Sequence, residues 1–373
     1  MRTLGTLAVA AALLVGPVPA HAASSDALAR QMRAVVAAGA PGAIVLARDG
    51  SRTLRLAAGV SDRAHRTPMR VGDRFRVGSV TKTFVATVVL QLVGEGRLAL
   101  DDTVERWVPG LVPGGEAITV RELLNHTSGL FDYIDDGDST VVKPFLAGHL
   151  SFVWSPRELV GIAVKHPAHF PPGARWSYSN TGYVVLGLVV EAVTGDSLAN
   201  ELQRRIFAPL ALRRTSFDSS PRIRGAHAHG YFHLPKRPLE DVTALSPSLG
   251  WAAGAVVSTA GDLARFYRAL LGGHVLSGEL LQQMETTVSM GIPGEAYGLG
   301  LWRTASGGLA PNFRLGCLDA AWGHDGDFPG YVTWAFNSQD GQRQVVAMVN
   351  DDALSRRAQM AVARMVRTGL CGS

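Results

Sequence analysis

The sequence predicts an α+β protein in which both ends of the chain build one antiparallel sheet flanked by helices, and the middle forms an inserted all-α lobe. Two turns and one change of periodicity predict it. Asp49-Gly50 separates two alternating stretches near the start, and Asp340-Gly341 separates two more near the end. Between them, apolar residues recur at helical spacing.

Taken in order, residues 25–38 read as a helix with Leu28, Met32, Val35 and Val36 on one face and Gly39 as its stop. Residues 43–48 and 53–58 read as strands of a hairpin. An apolar helix opens at Val77-Gly78-Ser79-Val80-Thr81-Lys82-Thr83-Phe84 and runs to about Gly94. Residues 98–111 are loop-like, and 120–125 form a short helix entered from Thr119 and stopped by Gly129. From 155 to 238 helices alternate with loops marked by Pro and Gly, including a helix over 183–194 closed by Gly195. Helices follow at 260–271 and 277–286, strands at 331–337 and 343–350, and an amphipathic helix at 355–367. The expected division is an α/β lobe of about 23–83 and 241–373 and a helical lobe of about 84–240.

The 373 residues, 47% hydrophobic and 18% charged, exclude disordered, collagen-like and coiled-coil classes. Residues 1–22 read as a secretory signal: Arg2, an apolar run over 4–15, then Ala20-His21-Ala22 for cleavage. No later run reaches the roughly 18–20 apolar residues that span a bilayer, so the expected product is secreted, extracellular or periplasmic, without a stable membrane anchor. The net charge of +5 is spread out, with no basic stripe interleaved with aromatics, and nucleic acid is not an expected partner. Cys317 and Cys371 fit an exported protein with one disulfide, two buried free thiols being the alternative.

Ser79 and Lys82 stand three positions apart at a helix start, hence on one face. Serine becomes a nucleophile when a neighbour takes its proton, and a desolvated lysine can do so whereas arginine cannot. The chain has 36 Lys plus Arg but only four lysines, at 82, 143, 165 and 236, so lysine at 82 is a specific choice. A Ser-x-x-Lys pair alone also occurs as a surface pair, and its weight depends on partners. Tyr178-x-Asn180 occurs once, ahead of a helix: a phenol can shuttle a proton, and an amide can hold a substrate carbonyl or the lysine. An aromatic core residue beside a helix cap is the plainer reading. His324-Asp325-Gly326-Asp327 supplies a glycine at which a substrate backbone could approach and an N–H that could hold an oxyanion, the alternative being a glycine-rich strand edge with a histidine on a polar rim. His227, His229 and His233 lack a carboxylate or cysteine that would complete a zinc pattern, so no metal is expected. There is no Gly-x-Ser-x-Gly elbow and no phosphate-binding glycine loop, and no cofactor is called for.

With Ser79-x-x-Lys82, Tyr178-x-Asn180 and His324-x-Gly326 in that order, the chain resembles the serine β-lactamase and penicillin-binding-protein superfamily. The resemblance is to its class C-like branch, closest to secreted D-alanyl-D-alanine carboxypeptidases, and runs from about residue 25 to the end. It includes Leu124-Asn125-His126-Thr127-Ser128-Gly129-Leu130 and Tyr297-Gly298-Leu299-Gly300-Leu301, and the cysteines fall where such enzymes place a disulfide. The resemblance implies a β-lactamase/transpeptidase-like fold and acyl transfer on a small peptide, ester or amide, such as a peptidoglycan stem peptide or a β-lactam. Ser79 would form the acyl-enzyme, and Lys82 and Tyr178 would manage protons, with the acylation base left open between them. The N–H groups of Ser79 and Asp327 would hold the oxyanion, Trp251 would line the cleft, and Arg303 would receive a substrate carboxylate. One departure stands out: such carboxypeptidases carry His-Thr-Gly-Thr, where this chain has two aspartates. Anions about 4 Å apart repel by roughly 1 kcal/mol in water and about 4 kcal/mol at an effective dielectric of 20. The resemblance favours a DD-peptidase; the alternatives are an esterase or D-amino-acid amidase or aminopeptidase, which the aspartates favour, and a non-catalytic penicillin binder, which the three intact motifs disfavour.

Overall fold

The first and last hairpins of the chain lie side by side. Gly42–Asp49 pairs antiparallel with Arg343–Val349, from Ala43 opposite Val349 to Asp49 opposite Arg343. Around this pair, among the described residues, a nine-stranded sheet runs in the order Thr67–Pro68, Arg52–Asp62, Gly42–Asp49, Arg343–Val349, Tyr331–Asn337, Ala320–Phe328, Trp302–Ala305, Glu295–Tyr297 and Val288–Ser289. The structure, a computed structural model, describes residues 20–137, 140–233, 238–305, 317–352 and 354–372, without the side chains of 20–24. The expected signal segment therefore lies largely outside the described residues; the first helix, Ala20–Ala37, begins ahead of the expected residue 25.

Period-two alternation sorts the central strands onto two cores. From Gly42–Asp49, Ala43 and Val45 join Leu28, Met32, Val35, Val362 and Met365 under the Ala20–Ala37 and Arg356–Cys371 helices. Ile44 and Leu46 join Phe84, Val88, Leu263 and Phe266 on the opposite face. Because helices cover both faces, the strands at Tyr331–Asn337 and Arg343–Val349 are buried almost throughout.

Ser79 lies in a 3₁₀ turn, Gly78–Val80, that leads into the helix Thr81–Gly94. That helix has no polar face, and Thr81 through Leu90 are all buried, so it forms the spine between sheet and helical region. Among the described residues no single helix is long and apolar enough to cross a membrane.

Several expectations are corrected. Residues 98–111 contain a one-turn helix, Val104–Trp107, steadied by Arg106 and Trp107 bonds to Asp102. Gly129 is not the stop of the Val120–Leu124 helix: His126 takes the left-handed conformation there (φ 62°), while Gly129 makes room for the Phe170 carbonyl. The middle stretch is not purely helical, since Tyr231–His233 pairs with Leu239–Asp241 and Ser216–Phe217 with Val256–Ser258. Strands of two or three residues are too short to show alternation. Ala320–Phe328 is likewise hidden by its own composition, Ala-Ala-Trp-Gly-His-Asp-Gly-Asp-Phe.

Cys317 and Cys371 are disulfide-bonded across 54 positions, tying the last helix to the chain beside the Ala320–Phe328 strand. Closing a loop of that length stabilises by about 4 kcal/mol in the chain-entropy model. Replacing both cysteines by serine should lower the unfolding free energy by about 2–4 kcal/mol in urea titrations. An unchanged midpoint would show that helix and strand hold each other without the bridge.

Candidate active site

Two glycines let the serine turn press against the sheet. Gly78 has φ 52°, and a Cβ there would meet the Asp327 carbonyl oxygen at 2.4 Å. A Cβ on Gly326 would meet the Val77 oxygen at 2.0 Å and the Ser79 nitrogen at 2.9 Å. Residues 324–328 have room for this contact because pairing with Trp302–Ala305 ends at Gly323, leaving one side of the strand open. The strand is thus internal over its first half and an edge only at the site. On its other side Asp327 faces Val332, next to the Phe328–Tyr331 pair that closes the hairpin. Antiparallel alternation directs the Asp327 N–H away from that partner, toward the serine turn.

One helical turn beyond Ser79, Lys82 Nζ contacts Ser79 Oγ at 3.0 Å, Asn180 Oδ1 at 2.7 Å and the Ala253 carbonyl at 3.0 Å. Lys82 is 0% exposed, and its burial lowers the amine from 10.5 to about 7, against the opposing pull of Asp132 and then Asp325. The rings of Tyr178 and Tyr183 lie 4.7 and 5.5 Å from Nζ. Near neutral pH a fraction of this amine is free to accept a proton.

Tyr178 and Asn180 come from the loop that enters the helix Asn180–Thr194, which Ser179 caps by accepting from Gly182 N–H. The Tyr178 hydroxyl donates to Ser79 Oγ at 2.7 Å, and burial pushes the phenol well above its ordinary range, so it keeps its proton. Asn180 donates from its backbone and side-chain nitrogens to Asp132 Oδ2, at 2.9 and 2.8 Å. The amide thus stands between a carboxylate and the amine.

Asp325 is about one-third exposed and close enough to raise Lys82 and Tyr178. Desolvation in the cleft, then Asp325, pushes the Asp327 carboxyl up to about 7. Its side chain still reaches solvent.

The remaining expected residues fall differently. His324 is buried, its Nε2 paired with the Tyr297 hydroxyl at 2.8 Å and its Nδ1 turned to the Asp325 carbonyl, so it braces the strand and is not on a polar rim. Trp251 packs its ring on Gly187, and its turn reaches the site through the Ala253 carbonyl. Arg303 is not joined to the cluster: opposite Trp322, its guanidinium lies 5.8 Å from that ring, because its strand pairs with the first half of Ala320–Phe328. His227 and His229 stack on one another, His229 bonding Asp241, and among the described residues no group of three or more His, Cys, Asp or Glu is arranged to hold a metal. Asp132 and the Ala253 carbonyl are site components that the motifs did not flag, and His126 lies in the 124–130 segment without a role assigned to it there. An acid between two aromatics, Phe131-Asp132-Tyr133, was the one available signal.

A buried lysine and a phenol both within hydrogen-bond reach of one serine hydroxyl, in the cleft of this fold, define a serine hydrolase. The chain belongs to the Beta-lactamase family, whose model matches residues 26–368. It is similar to a solved D-stereospecific amidohydrolase from a Streptomyces species, with a TM-score of 0.82 and 38% identity over 95% of this chain and 99% of that one. It is 28% identical to penicillin-binding protein 4* of Bacillus subtilis over 83% of this chain, and 37% identical to esterase EstB of Burkholderia gladioli over 47% of it. It spans 68% and 46% of the lengths of those two curated relatives.

Substituting Gly326→Ala forces the strand off the serine turn. We expect kcat/KM on an aryl ester to fall at least about 100-fold with an unchanged circular dichroism spectrum. Near wild-type activity would mean that the approach of strand and turn is not needed.

Proposed function

We propose that this chain is an amidase of D-amino-acid-type substrates, working through a Ser79 acyl-enzyme and preferring neutral or cationic groups where a carboxypeptidase would receive a carboxylate. The observation that carries this reading is the pair of aspartates flanking Gly326, on the strand pressed against the nucleophile. Asp325, joined by Asp327 as its raised carboxyl ionises near pH 7, repels a substrate carboxylate and favours an ammonium or an uncharged amide. The likeness to a D-stereospecific amidohydrolase supports it. The second reading, a D-alanyl-D-alanine carboxypeptidase acting on peptidoglycan stem peptides, is supported by the similarity to penicillin-binding protein 4* and opposed by the aspartates. The same chemistry would cleave simple esters and would be acylated by β-lactams. Residues 1–22 support export and secretion after cleavage near Ala22.

In the proposed sequence the free Lys82 amine takes the Ser79 proton as Oγ bonds the carbonyl carbon, and the oxyanion rests on the N–H groups of Ser79 and Asp327. Tyr178 passes its proton to the leaving nitrogen and is reprotonated from the Lys82 ammonium, so the C–N bond breaks without net charge. Water then adds to the acyl-enzyme and releases the acid. Lys82 rather than Tyr178 is the acceptor because burial lowers one and raises the other.

Below about pH 7 the Lys82 amine is protonated and cannot accept. On a neutral aryl ester, which Asp325 and Asp327 do not discriminate, kcat/KM should rise about tenfold per pH unit up to near 7 and then level. A profile flat from pH 5 to 8 would exclude Lys82 as the acceptor. For substrate preference, the double variant Asp325→Thr, Asp327→Thr should raise kcat/KM on a D-Ala-D-Ala free acid relative to its C-terminal amide by roughly tenfold or more. An unchanged ratio would refute the repulsion on which the amidase reading stands.

A further inference from the structure

His126 is a buried titratable side chain that the reaction sequence above does not use. It is 1% exposed, and its φ of 62° turns its carbonyl and its imidazole toward one stretch of chain. Ser177 N–H donates to the His126 carbonyl at 2.9 Å, and Ser179 N–H donates to His126 Nδ1 at 3.1 Å. The two bonds bracket Tyr178, whose ring lies with its centroid 4.4 Å from that of the imidazole. On its other sides the imidazole meets the rings of Tyr297 at 4.6 Å and Tyr183 at 5.3 Å. Tyr297 in turn bonds His324 on the strand that faces Ser79.

Because Nδ1 accepts, the ring proton sits on Nε2, which has no hydrogen-bond partner among the described residues. Burial, then Lys82, then His324, holds the imidazole well below its ordinary range and therefore neutral. An imidazolium would set two donors against each other at Ser179, so neutrality and the clamp are one requirement.

We propose that His126 is a positioning residue: by fixing the peptides on both sides of Tyr178 and packing its ring, tilted by 36°, against the phenol, it holds the phenol oxygen on Ser79 Oγ. This rests on the reading of Tyr178 as proton donor to the leaving group. A nitrophenolate leaves without a proton, whereas an aniline does not, so the two leaving groups report Tyr178 placement separately from folding.

The test compares kcat and KM on D-alanine p-nitroanilide and on p-nitrophenyl acetate for wild type, His126→Ala, His126→Asn and Tyr178→Phe, each corrected for folded fraction by near-ultraviolet dichroism. In His126→Ala, kcat on the anilide should fall at least tenfold more than on the ester, with KM within threefold. His126→Asn should recover to within about threefold of wild type, because its Oδ1 can accept from Ser179 N–H and asparagine tolerates a positive φ. Equal losses on both substrates, or an asparagine variant no better than alanine, would overturn the proposal. An impaired Tyr178→Phe beside an unimpaired His126→Ala overturns the His126 role alone. An unimpaired Tyr178→Phe removes the proton-donor reading and the His126 role with it.

Discussion

Keeping water from one amine is the constraint on which the rest of this molecule depends. Bringing Lys82 from 10.5 to about 7 means disfavouring its charged form by about 5 kcal/mol. The structure does so with a helix buried on all sides and three contacts that are a hydroxyl, an amide oxygen and a peptide carbonyl. A carboxylate in direct contact would undo the effect by holding the proton on. Asp132 is kept one step away, its charge reaching Lys82 only past the Asn180 amide. Asn180 therefore separates two charges as much as it joins two side chains.

The second constraint is steric. Ser79 is useful only if the backbone of another segment stands beside it, and Gly78 and Gly326 make that approach possible. The polar strand carrying Gly326 is tolerated inside a large sheet because its polar half borders the cleft. What looks like a poor strand by propensity is a strand shaped by its neighbour.

Much of this was legible before any coordinates. The apolar helix after Ser79, the two Asp-Gly hairpins and the helix ahead of Gly195 all announce themselves through periodicity and turn chemistry, and they lie where the spacing puts them. Ser79, Lys82, Tyr178 and Asn180 could be named because each belongs to a spacing that occurs once. The illegible parts share a physical reason. The Ala253 carbonyl is a backbone atom with no side-chain signature, and His126 meets Tyr178 through a ring contact that only tertiary packing creates. Arg303 stands away from the cluster because which half of a strand is paired depends on neighbours far along the chain.

The pairing of Gly42–Asp49 with Arg343–Val349 also has a consequence in time. The first hairpin leaves the ribosome roughly 300 residues before its partner, an interval of about 15–60 s at ordinary synthesis rates, during which its edge is uncovered. The strand that presses on the serine turn arrives almost as late. A nascent chain therefore carries Ser79 and Lys82 long before it carries the strand that faces them, and the completed site is deferred until translation is nearly complete.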